Sequence, residues 1–161
     1  MASDPASVDE LRRAAGNLLQ NASTNEMFMC NAFKILSGCD IKIATAIFYT
    51  LDSLPAKKTL LKRVLDVKSD EEEKKLVNAI IDAAEKSNNQ RKDISHSLLA
   101  FKSPDINSAF TLYRPKSSES KSVTKNSLAT LIRHSQDAIT EAQQAFEQLC
   151  QKRGVPVQLE L

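Results

Sequence analysis

The sequence predicts an all-α fold: an up-down bundle of four to five helices, with a short extended arm before the last helix. Three observations predict it. Chain breakers are scarce, with three glycines and five prolines in 161 residues, too few for a turn-rich β-sandwich or a Gly-rich phosphate loop. Apolar residues recur at three- and four-residue steps through long stretches. Residues that start and stop helices fall between those stretches. At ~100–200 residues per domain the length fits one domain, assigned to residues 7–152 with short tails at 1–6 and 153–161.

The first segment starts near Ser3, Asp4 and Pro5 and runs from about Ser7 to Leu36. Leu11, Ala14, Ala15, Leu18 and Leu19 form its first stripe, and Met27, Cys30, Phe33 and Leu36 its second. The polar run Asn21–Asn25 between them predicts a bend or break. Gly38 predicts a left-handed cap. Asp40 caps a second segment with Ile43, Ala46, Ile47 and Leu51 on one face. Asp52 or Ser53 caps a third, with Pro55 in its first turn and Leu60, Leu61, Val64 and Leu65 as its apolar face. Ser69 and Glu72 are spaced as a capping box for a fourth helix, expected to reach about Phe101. Its stripe is Leu76, Ile80, Ala84, Ser87, Arg91, Ile94 and Leu98. Ala109–Tyr113 reads as the extended arm, and Arg114–Ser122 as a polar, Ser- and Lys-rich connector. Ser122 or Thr124 starts the last helix, whose positions Leu128, Leu131, Ile132, Ile139, Ala142, Phe146 and Leu149 stay close to a 3.5-residue repeat. That repeat predicts a bundle or coiled-coil seam, and with it a homodimer. Gly154 and Pro156 end the helix.

Composition narrows the function classes. Lys plus Arg total 22 and Asp plus Glu 20, a net charge of +2, without the large basic field of a dedicated duplex-DNA binder. At 42% hydrophobic and 26% charged, the chain is too apolar for a disordered one. No apolar run approaches the ~20 residues that span a bilayer, and residues 1–10 show no basic-then-apolar leader, so no membrane partner and a cytoplasmic location are expected. Cys30, Cys39 and Cys150 are an odd count without a C-x-x-C pair, which fits a reducing compartment and plain thiols. Cys and His never cluster at ligand spacing, so neither a metal nor a cofactor is expected.

The informative stretch is Asn88-Asn-Gln-Arg-Lys-Asp-Ile-Ser-His-Ser97. Arg91 falls on the apolar stripe, and a guanidinium there needs a carboxylate, a carbonyl cluster or a phosphate. His96 lies five residues on, about 140° from Arg91 on a straight helix, so the two cannot share a face of one undistorted helix. A bend, or a second subunit, is needed to bring them together. On residues alone, Arg91 can equally snorkel at the bundle edge beside an acidic neighbour, and His96 can lie on the surface.

Arg91-Lys-Asp-Ile-Ser-His96, late in a small helical chain, resembles the signature of HEPN domains: an Arg, usually followed by a polar residue such as Asn, then His four to six positions on. Ala44–Leu61 is similar to the paired-helix segment of bacterial proteins that carry this signature, and the order of motif helix, arm and final amphipathic helix also fits. The position after Arg91 is Lys92 rather than Asn. The resemblance implies a four-to-five-helix bundle that dimerises and cleaves or binds RNA, without a metal, in a cleft between subunits. It implies Arg91 as the phosphate holder and His96 as the acid–base group, with Asn89, Lys92 and Asp93 beside the substrate. Members of the family also serve as binding or regulatory modules for partner proteins. The other class of function is therefore a non-catalytic helical interaction module, with Arg91 in a structural ion pair.

Two further basic groups stand out. Lys57, Lys58, Lys62 and Arg63 read as a solvated face before they read as a nucleic-acid contact. Arg114, Lys116, Lys121 and Lys125 border the polar connector.

Overall fold

A computed structural model describes residues 6–95, 98–101, 110–114, 119–122 and 124–160, with backbone alone for 8, 93–95 and the three strands. Five helices carry the chain: α1 (Val8–Ser37), α2 (Ile41–Thr50), α3 (Leu54–Lys68), α4 (Glu71–Ser95) and α5 (Lys125–Arg153). Between α4 and α5 lie three short strands, β1 (Leu98–Phe101), β2 (Phe110–Arg114) and β3 (Glu119–Ser122).

Local chemistry sets most helix ends. Ser7 and Glu10 exchange hydrogen bonds at the start of α1: the Ser7 N–H donates to Glu10 Oε2 at 2.7 Å and the Glu10 N–H to Ser7 Oγ at 3.2 Å. Gly38, at φ +73°, closes α1 in the left-handed region that glycine adopts without strain. Asp40 accepts from the Lys42 N–H at 2.8 Å and caps α2. Ser53 accepts from the Ala56 N–H at 3.3 Å and caps α3, with Pro55 in the first turn. Thr124 and Ser127 bond reciprocally at the start of α5.

Three expectations are corrected. The capping box of α4 is Asp70 with Glu73, one residue beyond Ser69 and Glu72. The Glu73 N–H donates to Asp70 Oδ1 at 2.9 Å and the Asp70 N–H to Glu73 Oε2 at 3.2 Å. Ser69 instead closes α3, its N–H donating to Leu65 O. Next, α1 runs unbroken through Asn21–Asn25. Asn21 donates to Ser135 Oγ at 3.0 Å and Asn25 is fully buried, so these residues lie on the buried side and leave the helix intact. Finally, α4 stops at Ser95, not Phe101. Leu98–Phe101 pairs antiparallel with Phe110–Tyr113, and β2 pairs antiparallel with β3. An isolated extended arm would leave its N–H and C=O groups unpaired; three strands in the order β1-β2-β3 satisfy them.

The chain divides into two compact units, residues 1–22 with 87–137 and residues 23–86 with 138–161. In the second, all five helices supply the core. Phe28 and Phe33 of α1, Phe48 of α2, Leu61 of α3, Ile80 of α4 and Phe146 of α5 are among its buried residues. The rings of Phe28 and Phe146 meet at 5.5 Å between centroids, tilted by 56°. In the first unit, Ala6, Leu11, Ala14 and Leu128 form a smaller cluster with Ile132 against it. Of the α5 repeat, Leu128, Ala142, Phe146 and Leu149 are buried in these cores, Ile132 and Ile139 pack against them, and Leu131 is partly exposed.

At one end of the second unit, Arg153 of α5 forks onto the buried carboxylate of Glu73, through Nε to Oε1 and through Nη2 to Oε2 at 2.8 Å. Its Nη2 also donates to Lys68 O at 2.9 Å. Lys152 pairs beside it with Asp70, at 2.9 Å, and with Glu72.

Phe146→Ala is expected to cost about 3–5 kcal/mol in urea unfolding, by lost burial and the cavity left behind. The Asp70 carboxyl is held below its ordinary 3.8, first by the Glu73 N–H and then by Lys152. Its contribution is present above that ordinary value and is lost as pH falls through the lower folded value. Asp70→Ala should therefore lower the melting temperature at pH 7, and the gap from wild type should close towards pH 2–3 in paired thermal scans.

Candidate functional site

The far end of α4 carries the charge that needs an explanation. Ser87 is fully buried and Asn88 nearly so, and Arg91 follows one turn later on the same stripe, half-buried. Arg91 Nη2 donates to Asn88 Oδ1 at 2.9 Å, the i,i+3 contact that helix geometry allows. Its Nε is buried and meets no acceptor among the described residues, and the neighbouring Gln90 Oε1 is a buried acceptor likewise without a donor. The guanidinium is thus held by one neutral carbonyl, with no carboxylate among the described side chains. A buried donor left unmade costs about 1–3 kcal/mol, so this N–H is poised for an incoming acceptor, best an anion.

Of the other expected site residues, Asn89 and Lys92 are exposed. The side chain of Asp93, and His96 altogether, lie outside the described residues. The structure therefore joins Asn88 and Arg91, and leaves Asn89 and Lys92 facing solvent. Asn88 and Gln90 were not singled out from the sequence. The signal for Asn88 was available: it precedes Arg91 by three residues and shares its face.

The basic group on α3 divides. Lys58 bridges to both oxygens of Glu85, at 2.7 and 2.8 Å, while Lys62 and Arg63 are exposed. Lys57 is not on a solvated face. It is 7% exposed, its Nζ lies 2.5 Å from Glu26 Oε2, and it stands 5.3 Å from the Phe48 ring centroid and 4.9 Å from that of Tyr49. Two aromatic faces and one carboxylate replace the water it loses. Burial, with the nearby Cys30 and Glu26, pushes the Tyr49 phenol up to about 12. Lys57 stands four and eight residues before Leu61 and Leu65, on the buried face of α3, so its spacing sets it apart from Lys62 and Arg63. Of the connector cations, Lys125 lies 3.9 Å from Glu10, and Arg114 stands in register opposite Glu119 across β2 and β3.

Two of the three thiols offer no nucleophile. Cys30 and Cys150 are buried, and burial raises both above the ordinary thiol value. His134 is exposed on α5. Among the described residues no three His, Cys, Asp or Glu side chains gather as a metal site, and no helix is long and apolar enough to cross a membrane.

Lys57→Ala is expected to cost about 3 kcal/mol by urea denaturation, because it strands Glu26 and empties the space over two rings. Lys62→Ala should stay within about 0.5 kcal/mol of wild type. Equal effects would place both lysines in the same environment.

Set against known protein families, curated proteins and solved structures, the chain matches none.

Proposed function

We propose that this chain is a HEPN-like, RNA-directed protein in which Arg91 holds a backbone phosphate and His96 moves the proton. The observation that carries this reading is the half-buried Arg91 guanidinium, with one neutral partner and a buried Nε–H that lacks one. The order of elements supports it too: a motif helix, an extended region, then a long amphipathic helix.

The chemistry asked of the pair is modest. The RNA 2′-hydroxyl attacks phosphorus, the bond to the 5′-oxygen breaks, and the proton passes from the 2′-oxygen to the departing 5′-oxygen. Imidazole is suited to that transfer near neutral pH. A guanidinium fork stabilises charge on the non-bridging oxygens. Asn89 and Lys92 are exposed on the last turns of α4, where they can meet the flanking backbone, with Asp93 beside them. The site is completed in a homodimer, with the pair from each subunit in one cleft.

A second reading is favoured by a separate observation. Ile43 and Ile47, one turn apart on α2, are 54% and 44% exposed. Apolar side chains so placed suit a helical module that binds a partner protein without catalysis.

Incubation of the purified chain with mixed RNA and a chelator tests the first reading. Cleavage is expected. His96→Ala should abolish it by ~10²–10⁴-fold, while stability stays within about 0.5 kcal/mol. Arg91→Lys should keep the fold and weaken RNA binding by roughly tenfold or more, since an ammonium cannot reproduce the fork. No cleavage and no binding of RNA or phosphate by wild type, with a loss of about 3–5 kcal/mol in Arg91→Ala, would make Arg91 a structural residue.

A further inference from the structure

We propose that the face of α1 carrying Asn31 and Lys34 is a docking site for an extended peptide in which an apolar residue precedes an acidic one. The chain's own segment after α5 occupies it as a displaceable strap.

The strap is held at one place. The Glu160 N–H donates to Asn31 Oδ1 at 3.1 Å, and Asn31 Nδ2 donates back to Glu160 O at 3.0 Å. One amide thus reads both backbone groups of one extended residue, as a neighbouring strand would, whatever that residue's side chain is. The side chain is chosen by what surrounds the amide. Lys34, one turn along α1, sets its Nζ 2.7 Å from Glu160 Oε1, and Leu159 packs against the buried cluster of the same unit. The recognised pattern is therefore backbone, apolar side chain, carboxylate.

The site is built in advance of its occupant. Asn31 is 1% exposed, and its Nδ2 also donates to Met27 O at 3.0 Å. That intrahelical bond fixes which end of the amide is the donor, so Oδ1 faces the strap without any help from it. A cavity of about 260 Å³ lies alongside, lined on the α1 side by Ile35, Gly38 and Cys39 and on the other by Val155, Pro156 and Gln158.

The route to the site is loose. Gly154, at φ +64°, turns the chain out of α5, and the Val155 N–H returns to Cys150 O at 3.0 Å. Pro156, Val157 and Gln158 are exposed and make no hydrogen bond to another described residue. Releasing the Leu159–Glu160 anchor therefore frees the span back to Gly154. Bound in cis, the strap competes at an effective concentration of roughly millimolar, so a peptide offered in trans meets an occupied site until the strap is weakened.

The test uses the full chain and a fluorescent peptide, Val-Pro-Val-Gln-Leu-Glu with an amidated end. Leu159→Ser with Glu160→Lys should release the strap and bind the peptide at least ~tenfold more tightly than wild type in anisotropy titrations. Adding Asn31→Leu should abolish that binding. Equal uptake by wild type and the released chain overturns the proposal, as does uptake indifferent to Asn31. Should the released chain fail to fold, chymotrypsin cleavage after Leu159 decides. Lys34→Glu should expose that bond, and Lys34→Glu with Glu160→Lys should protect it again. Equal cleavage in both overturns the proposal. A wild-type dimer that is lost in Glu160→Lys, with no peptide uptake by any variant, overturns it in favour of strap exchange between copies.

Discussion

The buried carboxylate of Glu73 is the constraint on which one end of the larger core depends. Few groups cost more to remove from water than an ionised carboxylate, and this one is matched from every side. Its Oε2 caps α4 through the Asp70 N–H, and both its oxygens receive the Arg153 fork from the last turn of α5. The same guanidinium reaches the final carbonyl of α3, that of Lys68. Three helix ends are thereby fixed by one ion pair. It stands where the positive end of α4 and the negative end of α5 each favour the charge they receive. The aromatic packing of Phe28 on Phe146 then fills a space whose edges are already set.

Charge is handled differently elsewhere. Lys57 is compensated by Glu26 and two rings, and Lys58 by Glu85. Lys34 finds Glu160, and Lys86 finds Glu141. Arg91 is the contrast: a half-buried guanidinium with a single neutral acceptor and a buried N–H that lacks one among the described residues. Beside the buried and half-buried Lys57, Lys58 and Lys34, each with a carboxylate, this difference is what directs attention to the end of α4. The strap is governed by the same logic. Its acid is specified by Lys34, and its backbone by a buried amide whose orientation is locked.

Much of the fold was legible in local chemistry. Gly38, Asp40, Ser53 and Thr124 mark helix ends as their side chains and dihedral freedom require. The errors share one cause. Asn21 and Asn25 looked like breakers because polarity was read without a partner, and Ser135 is that partner for Asn21 across 114 residues. Leu98 continued a helical stripe by spacing, but Leu98–Phe101 finds its hydrogen bonds in β2. For the candidate site, Arg91 was legible as a misplaced charge. Asn88 was legible only by its place one turn before Arg91, and Gln90 was not, because its position beside Arg91 says nothing of burial.

By itself the sequence determined a helical chain, where most of its helices begin and end, and that Arg91 sits on an apolar stripe. Those properties follow from interactions within four residues, which backbone geometry dictates. The tertiary structure alone decided that α1 runs unbroken through its polar middle, that Glu26 and two rings meet Lys57, and that α5 contributes to two cores. It alone decided that Glu160 lies on Asn31, 129 residues away in the chain. Such contacts join residues whose separation carries no periodic signal, so they are fixed only when packing chooses which surfaces meet.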